Sequence, residues 1–143
     1  MLNVDQIRNG IVIDHIKAGL GIQIFNWLGL GKASYNVAFV VNANSNRMGR
    51  KDIIKIDNTI EINFDILGLI DPNITVNIIE NGEITKKIKL QLPEKVQDVL
   101  VCKNPRCITS TEKVPHLFHL DDVKKKTYRC EYCDEITGAA DLW

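Results

Sequence analysis

Cys102, Cys107, Cys130 and Cys133 are the only cysteines in the 143-residue chain, and all four fall in its last third. They read as C-x4-C, 22 intervening residues, then C-x2-C. Two close pairs across a longer loop suit four thiolates closing on one tetrahedral Zn²⁺, at Zn–S distances of about 2.3 Å. With every position taken by sulfur, none is left for a reacting water, so such a site is structural. Two disulfides, or another metal or redox chemistry, are the alternatives. No apolar run follows a basic start between Met1 and Asp14, so no secretory leader is expected. Apolar stretches such as Leu28–Gly31 and Val37–Val41 are too short to span a bilayer. The expected compartment is therefore the cytoplasm, where paired half-sites of this kind are more often metal ligands than disulfides. A module this small can hardly sustain a core of its own. Structural zinc contributes on the order of 10–16 kcal/mol in small peptides, against the roughly 5–15 kcal/mol stability of a typical domain.

Composition limits the partners. Hydrophobic residues make up 45% and charged residues 25%, which indicates a globular chain and not a disordered one. Lys plus Arg and Asp plus Glu number 18 each, for a formal charge of zero. A dedicated nucleic-acid binder usually carries a basic excess, because counterion release from phosphates supplies most of its affinity.

Ahead of the cysteines, periodicity alternates between strand and helix. Gly10–Ile16 is rich in β-branched residues and reads as a strand. Ala18–Leu30 places Leu20, Ile24, Trp27 and Leu28 at helical spacing, with Gly29 and Gly31 to stop it. Tyr35, Val37, Phe39 and Val41 alternate as a second strand, Asn42–Arg50 reads as a polar loop, and Lys51–Asn58 as a third strand. Asn58 or Thr59 is expected to cap a second helix, with Phe64, Leu67 and Leu69 or Ile70 on its apolar face, ended by Asp71-Pro72. Thr75–Ile79 and Glu83–Leu90 flank Asn81-Gly82, a dipeptide suited to a two-residue hairpin turn. The order β-α-β-β-α-β plus one strand predicts an α+β, ferredoxin-like domain over residues 1–93, with two helices on one face of an antiparallel sheet. A small all-β zinc-binding domain is expected over 94–143, joined through a connector at Glu94–Leu100.

The unusual polar residues of the first domain stand on or beside strands: Asp14 and His15, Lys55, Asn77 and Lys87. They read either as a solvated face with cross-strand charge pairs or as an anion site in which two lysines and a histidine meet a polyphosphate. His15 beside Asp14 has no partner nucleophile, no Gly-rich phosphate loop and no H-E-x-x-H pattern near it. His116 and His119 lie between the cysteine pairs. Four sulfurs already complete a tetrahedron, so both are expected to be surface residues of an irregular loop. Lys124–Lys126 reads as a solvated turn.

Several segments resemble a known family. Gly10-Ile11-Val12-Ile13-Asp14-His15-Ile16, Met48 to Ile56 (Met-Gly-Arg-Lys-Asp-Ile-Ile-Lys-Ile), Thr75 to Ile79, Leu92-Pro93-Glu94, and Val99 to Cys102 with the cysteines that follow are similar to the regulatory chains of aspartate carbamoyltransferase, in the family's order. The resemblance implies a non-catalytic subunit. Its N-terminal allosteric domain would bind CTP and ATP, with UTP assisting, and its zinc domain would dock on the catalytic chain, which condenses carbamoyl phosphate with aspartate in pyrimidine synthesis. Regulatory chains of that family pair through their allosteric domains and bridge catalytic trimers, so a homodimer is implied, with no membrane or nucleic-acid partner. Carried onto this chain, Lys55 and Lys87 would meet the triphosphate, with Asp14 and His15 near ribose and phosphate. Asn77, Ile79 and Ile84 would line the pocket, and backbone around Val4–Ile7 would face the base. Cys102, Cys107, Cys130 and Cys133 would hold zinc. Gly82 stands where some relatives place a larger side chain against the nucleotide. A signal from the first domain is expected to cross a hinge at Glu94–Leu100, and Val114, Leu117 and Tyr132 to contribute to docking. The rival readings are a zinc-ribbon nucleic-acid binder using Lys124–Lys126, and a phosphoryl-handling enzyme using His15 and Lys55.

Overall fold

A computed structural model of the protein describes residues 7–138. Its first part runs β1 (Gly10–Lys17), α1 (Gly21–Trp27), β2 (Val37–Ser45), β3 (Gly49–Ile56), α2 (Phe64–Ile70), β4 (Thr75–Glu80) and β5 (Glu83–Lys89). The strands lie in the order β2-β3-β1-β4-β5, and every neighbouring pair is antiparallel. This is the expected βαββαβ plan with an added edge strand. Both helices cover one face. Ile24 of α1 and Leu67 and Ile70 of α2 bury with Ile11, Ile13, Ile54, Ile56 and Val76 of the sheet in one core. Alternation along each strand therefore turns the intervening residues to the opposite, helix-free face.

The N-terminus of α1 is built by tertiary contact and not by local sequence, and this corrects the expected start at Ala18. The residue ahead of the helix is Leu20, which has no side chain able to cap it. The buried carboxylate of Asp52, on β3, instead accepts the N–H groups of Gly19 and Gly21 at 3.0 Å through Oδ2, and that of Asn42 at 3.1 Å through Oδ1. A side chain at Gly21 would stand 2.6 Å from Phe39 and 2.7 Å from that same Oδ2, so only glycine lets the helix approach so closely. Phe39 stacks on Phe25 of α1, with centroids 5.5 Å apart. At the far end Gly29, with φ 66°, stops the helix as expected.

Two further boundaries differ. Asn42–Arg50 is no loop: β2 continues to Ser45 and β3 begins at Gly49, so most of that polar stretch is the end of a hairpin projecting beyond the core. None of its residues enters the apolar core. The second helix is capped by Asn63, whose Oδ1 accepts from the N–H of Asp65 and Ile66, and not by Asn58 or Thr59.

The second part contains β6 (Lys95–Gln97), β7 (Leu117–Asp122), β8 (Thr127–Cys130) and β9 (Ile136–Gly138), ordered β6-β7-β8-β9 and antiparallel. The expected hinge at Glu94–Leu100 is thus not a free connector. Lys95–Gln97 is an edge strand, Leu120 donates its N–H to the Glu94 carbonyl, and Leu100 is wholly buried. The two parts also share packing. Leu69 of α2, 1% exposed, belongs to the second core with Val96, Leu100, Phe118 and Tyr128. A side chain at Gly68 would collide with the Gln91 carbonyl, so α2 lies directly on the chain leading out of the first part. The buried Tyr128 hydroxyl donates to the Pro93 carbonyl at 2.6 Å, tying β8 to the same crossing.

Two outcomes follow. Asp52→Ala leaves three N–H groups without their acceptor and lowers stability by about 3 kcal/mol, read as a lower urea midpoint at unchanged slope. Burial first, and then the charge of Asp65, raise the Tyr128 phenol to about 12. Its folded-state pKa lies above the unfolded one, so its contribution is complete below about pH 10 and fades as pH rises toward 12. In urea melts from pH 9 to 12, Tyr128→Phe should be less stable than the natural chain at the lower end and show a shallower alkaline decline.

Candidate functional site

Pairing register assembles the sequence-predicted polar residues on the helix-free face. Lys55 of β3 stands opposite Val12 of β1, Val12 opposite Asn77 of β4, and Asn77 opposite Lys87 of β5. Cross-strand partners share a face, so Lys55, Val12, Asn77 and Lys87 form one lateral row with a lysine at each end. On one side of it lies the row Asp14–Thr75–Lys89, and on the other Gly10–Ile79–Ile84. The face therefore grades from charged through lysine-flanked to apolar, in steps of about 7 Å along the strands. Ile84 is well exposed, and Asn77 Oδ1 is buried without a hydrogen-bond partner.

His15 reaches this face through an irregularity in β1. Register against β3 slips between Ile13 and Ile16, and His15 adopts φ 58°. Asp14 Oδ1 accepts the His15 N–H at 2.6 Å, and the imidazole Nδ1 lies 3.0 Å from Thr75 Oγ1. Lys51 pairs with Asp14 at 3.0 Å. Lys51 and Thr75 are residues that the sequence reading assigned no role. The alternation Lys51, Ile53, Lys55 along one strand was the available signal for Lys51, whereas Thr75 needed the β1–β4 register. Ile7 is half-buried at the entry to β1. Val4 lies outside the described residues.

The four cysteines converge as the spacing requires. Their sulfurs all lie within 4.8 Å of one another, with Cys102 Sγ 3.5 Å from Cys133 Sγ and Cys107 Sγ 3.8 Å from Cys130 Sγ. Four sulfurs at about 2.3 Å from a tetrahedral centre are about 3.8 Å apart, so the donor set fits such an ion. Two turns present them. In the first, Asn104 folds Cys102–Cys107, its carbonyl accepting the Cys107 N–H and its Oδ1 the Arg106 N–H. In the second, Asp134 at φ 63° returns its N–H to the Cys130 carbonyl at 3.0 Å. Burial is the main cause that raises Cys102 to about 12 and lifts Cys130 above its ordinary range. A cation must therefore displace protons to bind.

The histidines between the cysteine pairs lie outside the cluster. His119 is not in an irregular loop: it stands on β7, 2.8 Å from Glu131 Oε1. The cysteine loop carries its own strand there. Lys124–Lys126 forms the β7–β8 turn. Of the residues expected to dock, Leu117 lines a cavity of about 640 Å³ against Asn63, Asp65 and Ile66 of the α2 end. Tyr132 is exposed, its hydroxyl donating to the Pro115 carbonyl at 2.8 Å, and Val101, Val123 and Ile136 are exposed with it.

An antiparallel α+β domain with a lysine-flanked outer face is thus joined to a four-cysteine module able to hold a metal. The family model described as aspartate carbamoyltransferase regulatory chain, allosteric domain, matches residues 2–91, and that described as the metal binding domain of the same chain matches residues 94–143. The protein belongs to the family of aspartate carbamoyltransferase regulatory chains. Among its relatives so named, one from Clostridium tetani is 58% identical over 138 residues, covering 95% of this chain and 96% of its own. One from Clostridium botulinum strain Hall is 54% identical over 143 residues, covering 99% and 98%. One from Bifidobacterium longum is 40% identical over 135 residues, covering 94% and 97%. The chain is thus the regulatory, non-catalytic component, and a catalytic chain is its partner. Among the described residues no helix is long and apolar enough to cross a membrane.

Stripping the metal with a chelator should unfold the cysteine module, because cysteines make up three of the eight side chains of its buried core among the described residues. Near-ultraviolet circular dichroism of Tyr128 and Tyr132 should collapse and return when the metal is restored.

Proposed function

We propose that the chain senses nucleoside triphosphates, CTP and ATP with UTP as an auxiliary, on the helix-free face and passes their binding to the catalytic chain. The observation that carries the reading is the Lys55–Val12–Asn77–Lys87 row. Its two ammonium groups flank a carboxamide with an unpaired oxygen. Lysine is a compact charge on a flexible stem, suited to lean over a polyphosphate from either side. Asp14 and His15, steadied by Lys51 and Thr75, stand at the ribose and phosphate end. Ile79 and Ile84 offer an apolar floor to a base, with backbone near Val4–Ile7 facing its polar edge.

The metal is zinc in this reading, since four thiolates in a closed tetrahedron are a typical structural zinc set. The division falls between Pro93 and Glu94, with a 1–93 allosteric domain that pairs with a second regulatory chain. The 94–143 domain docks on the catalytic chain through exposed apolar side chains such as Tyr132. The compartment is the cytoplasm, where thiolates stay reduced. Effector binding acts by preferring one quaternary state, typically by about 1–3 kcal/mol of coupling. The Leu69 contact and the Tyr128–Pro93 hydrogen bond supply a packed route from α2 to the metal module in place of a loose hinge.

Calorimetric titration of CTP and ATP into the purified chain tests the face. Replacing Lys55 or Lys87 by alanine should weaken either nucleotide by about 10- to 100-fold, the scale of one lost charged hydrogen bond. Unchanged affinity in the Lys55→Ala, Lys87→Ala double variant overturns the triphosphate site.

A further inference from the structure

The turn joining β4 to β5 is latched to the segment that enters β1, and the latch borders the apolar end of the outer face. Asn81 and Gly82 have φ of 53° and 80°, the positive values of a type I′ two-residue turn. Both N–H groups are engaged. Asn81 donates to Asn9 Oδ1 at 3.1 Å, and Gly82 donates to the Arg8 carbonyl at 2.8 Å. Asn9 adjoins Gly10, which stands opposite Ile79, itself opposite Ile84. Gly82 carries no side chain, and one placed there would begin in open space, with nothing within 4 Å.

We propose that Asn9 is a positioning residue for base discrimination. By holding the Asn81 N–H it ties the segment that enters β1 to the β4–β5 turn at the end of the Gly10–Ile79–Ile84 row, so that a base edge is read by latched main chain and not by a side chain at position 82. This rests on the nucleotide reading of the face. The lysine row lies one outward step, about 7 Å, further along the strands, so the latch and the phosphate end are separable.

Calorimetric titration of CTP, ATP and inorganic tripolyphosphate into the full-length chain separates them. Asn9→Ala should weaken both nucleotides by about three- to tenfold, the scale of one lost neutral hydrogen bond, and move the CTP-to-ATP affinity ratio toward one. Tripolyphosphate binding should stay within about twofold. Asn9→Asp, which keeps the acceptor oxygen, should restore the ratio. An unchanged ratio in Asn9→Ala, or tripolyphosphate affinity falling in step with the nucleotides, overturns the proposal alone. A natural chain that binds neither nucleotides nor tripolyphosphate overturns the nucleotide reading and the proposal with it.

Discussion

Among the described residues the metal module does not complete its core from its own hydrocarbon, and much of the molecule answers to that shortage. Its buried cluster holds eight of the described side chains, of which Cys102, Cys107 and Cys130 are three and Leu69 is lent by α2 of the other domain. Burial there pushes the Cys102 and Cys130 thiols above their ordinary range, so a cation held by the four sulfurs must displace protons from them. The same shortage explains why α2 packs so closely on the domain crossing. With no side chain at Gly68, the helix comes down on the Gln91 carbonyl and delivers Leu69 into the second core. The metal module and the position of α2 are therefore joined by packing.

The first domain solves a different problem: how to gather charge on a sheet without a loop dedicated to holding it. Antiparallel register does this by setting residues from four strands side by side, and the helices on the opposite face keep that register in place. The slip in β1 at Asp14–His15 then turns a histidine toward Thr75, at the cost of a left-handed backbone. Asp52 acts behind this arrangement as an anion caged by three N–H groups, joining β3 to the start of α1 and to the β2 irregularity at Asn42.

Local chemistry makes several elements legible in the sequence alone. The Asn81-Gly82 turn, the stop at Gly29, the strand alternation and the close spacing within each cysteine pair all depend on neighbours only a few residues away. The errors arose where distant residues decide. Helix α1 begins at Gly21 because Asp52, 31 residues on, supplies its missing cap. Asn63 takes the α2 cap although Asn58 and Thr59 are equally competent in isolation. Asn42–Arg50 is polar like a loop but pairs as strand, and with none of its residues in the apolar core it has no apolar alternation to reveal it. Lys95–Gln97 looked like linker because its pairing partner, Leu117–His119, lies about twenty residues away.

By itself, the sequence determined which residues carry charge, which carry sulfur, and the period with which each chain segment buries its apolar side, since these are properties of composition and short spacing. Only the tertiary structure decided that Lys55, Asn77 and Lys87 share one row, that Lys51 is bound to Asp14, and that Leu69 belongs to the metal module's core. Strand register and domain packing bring together residues far apart in the chain, and no local preference records which of those meetings occurs.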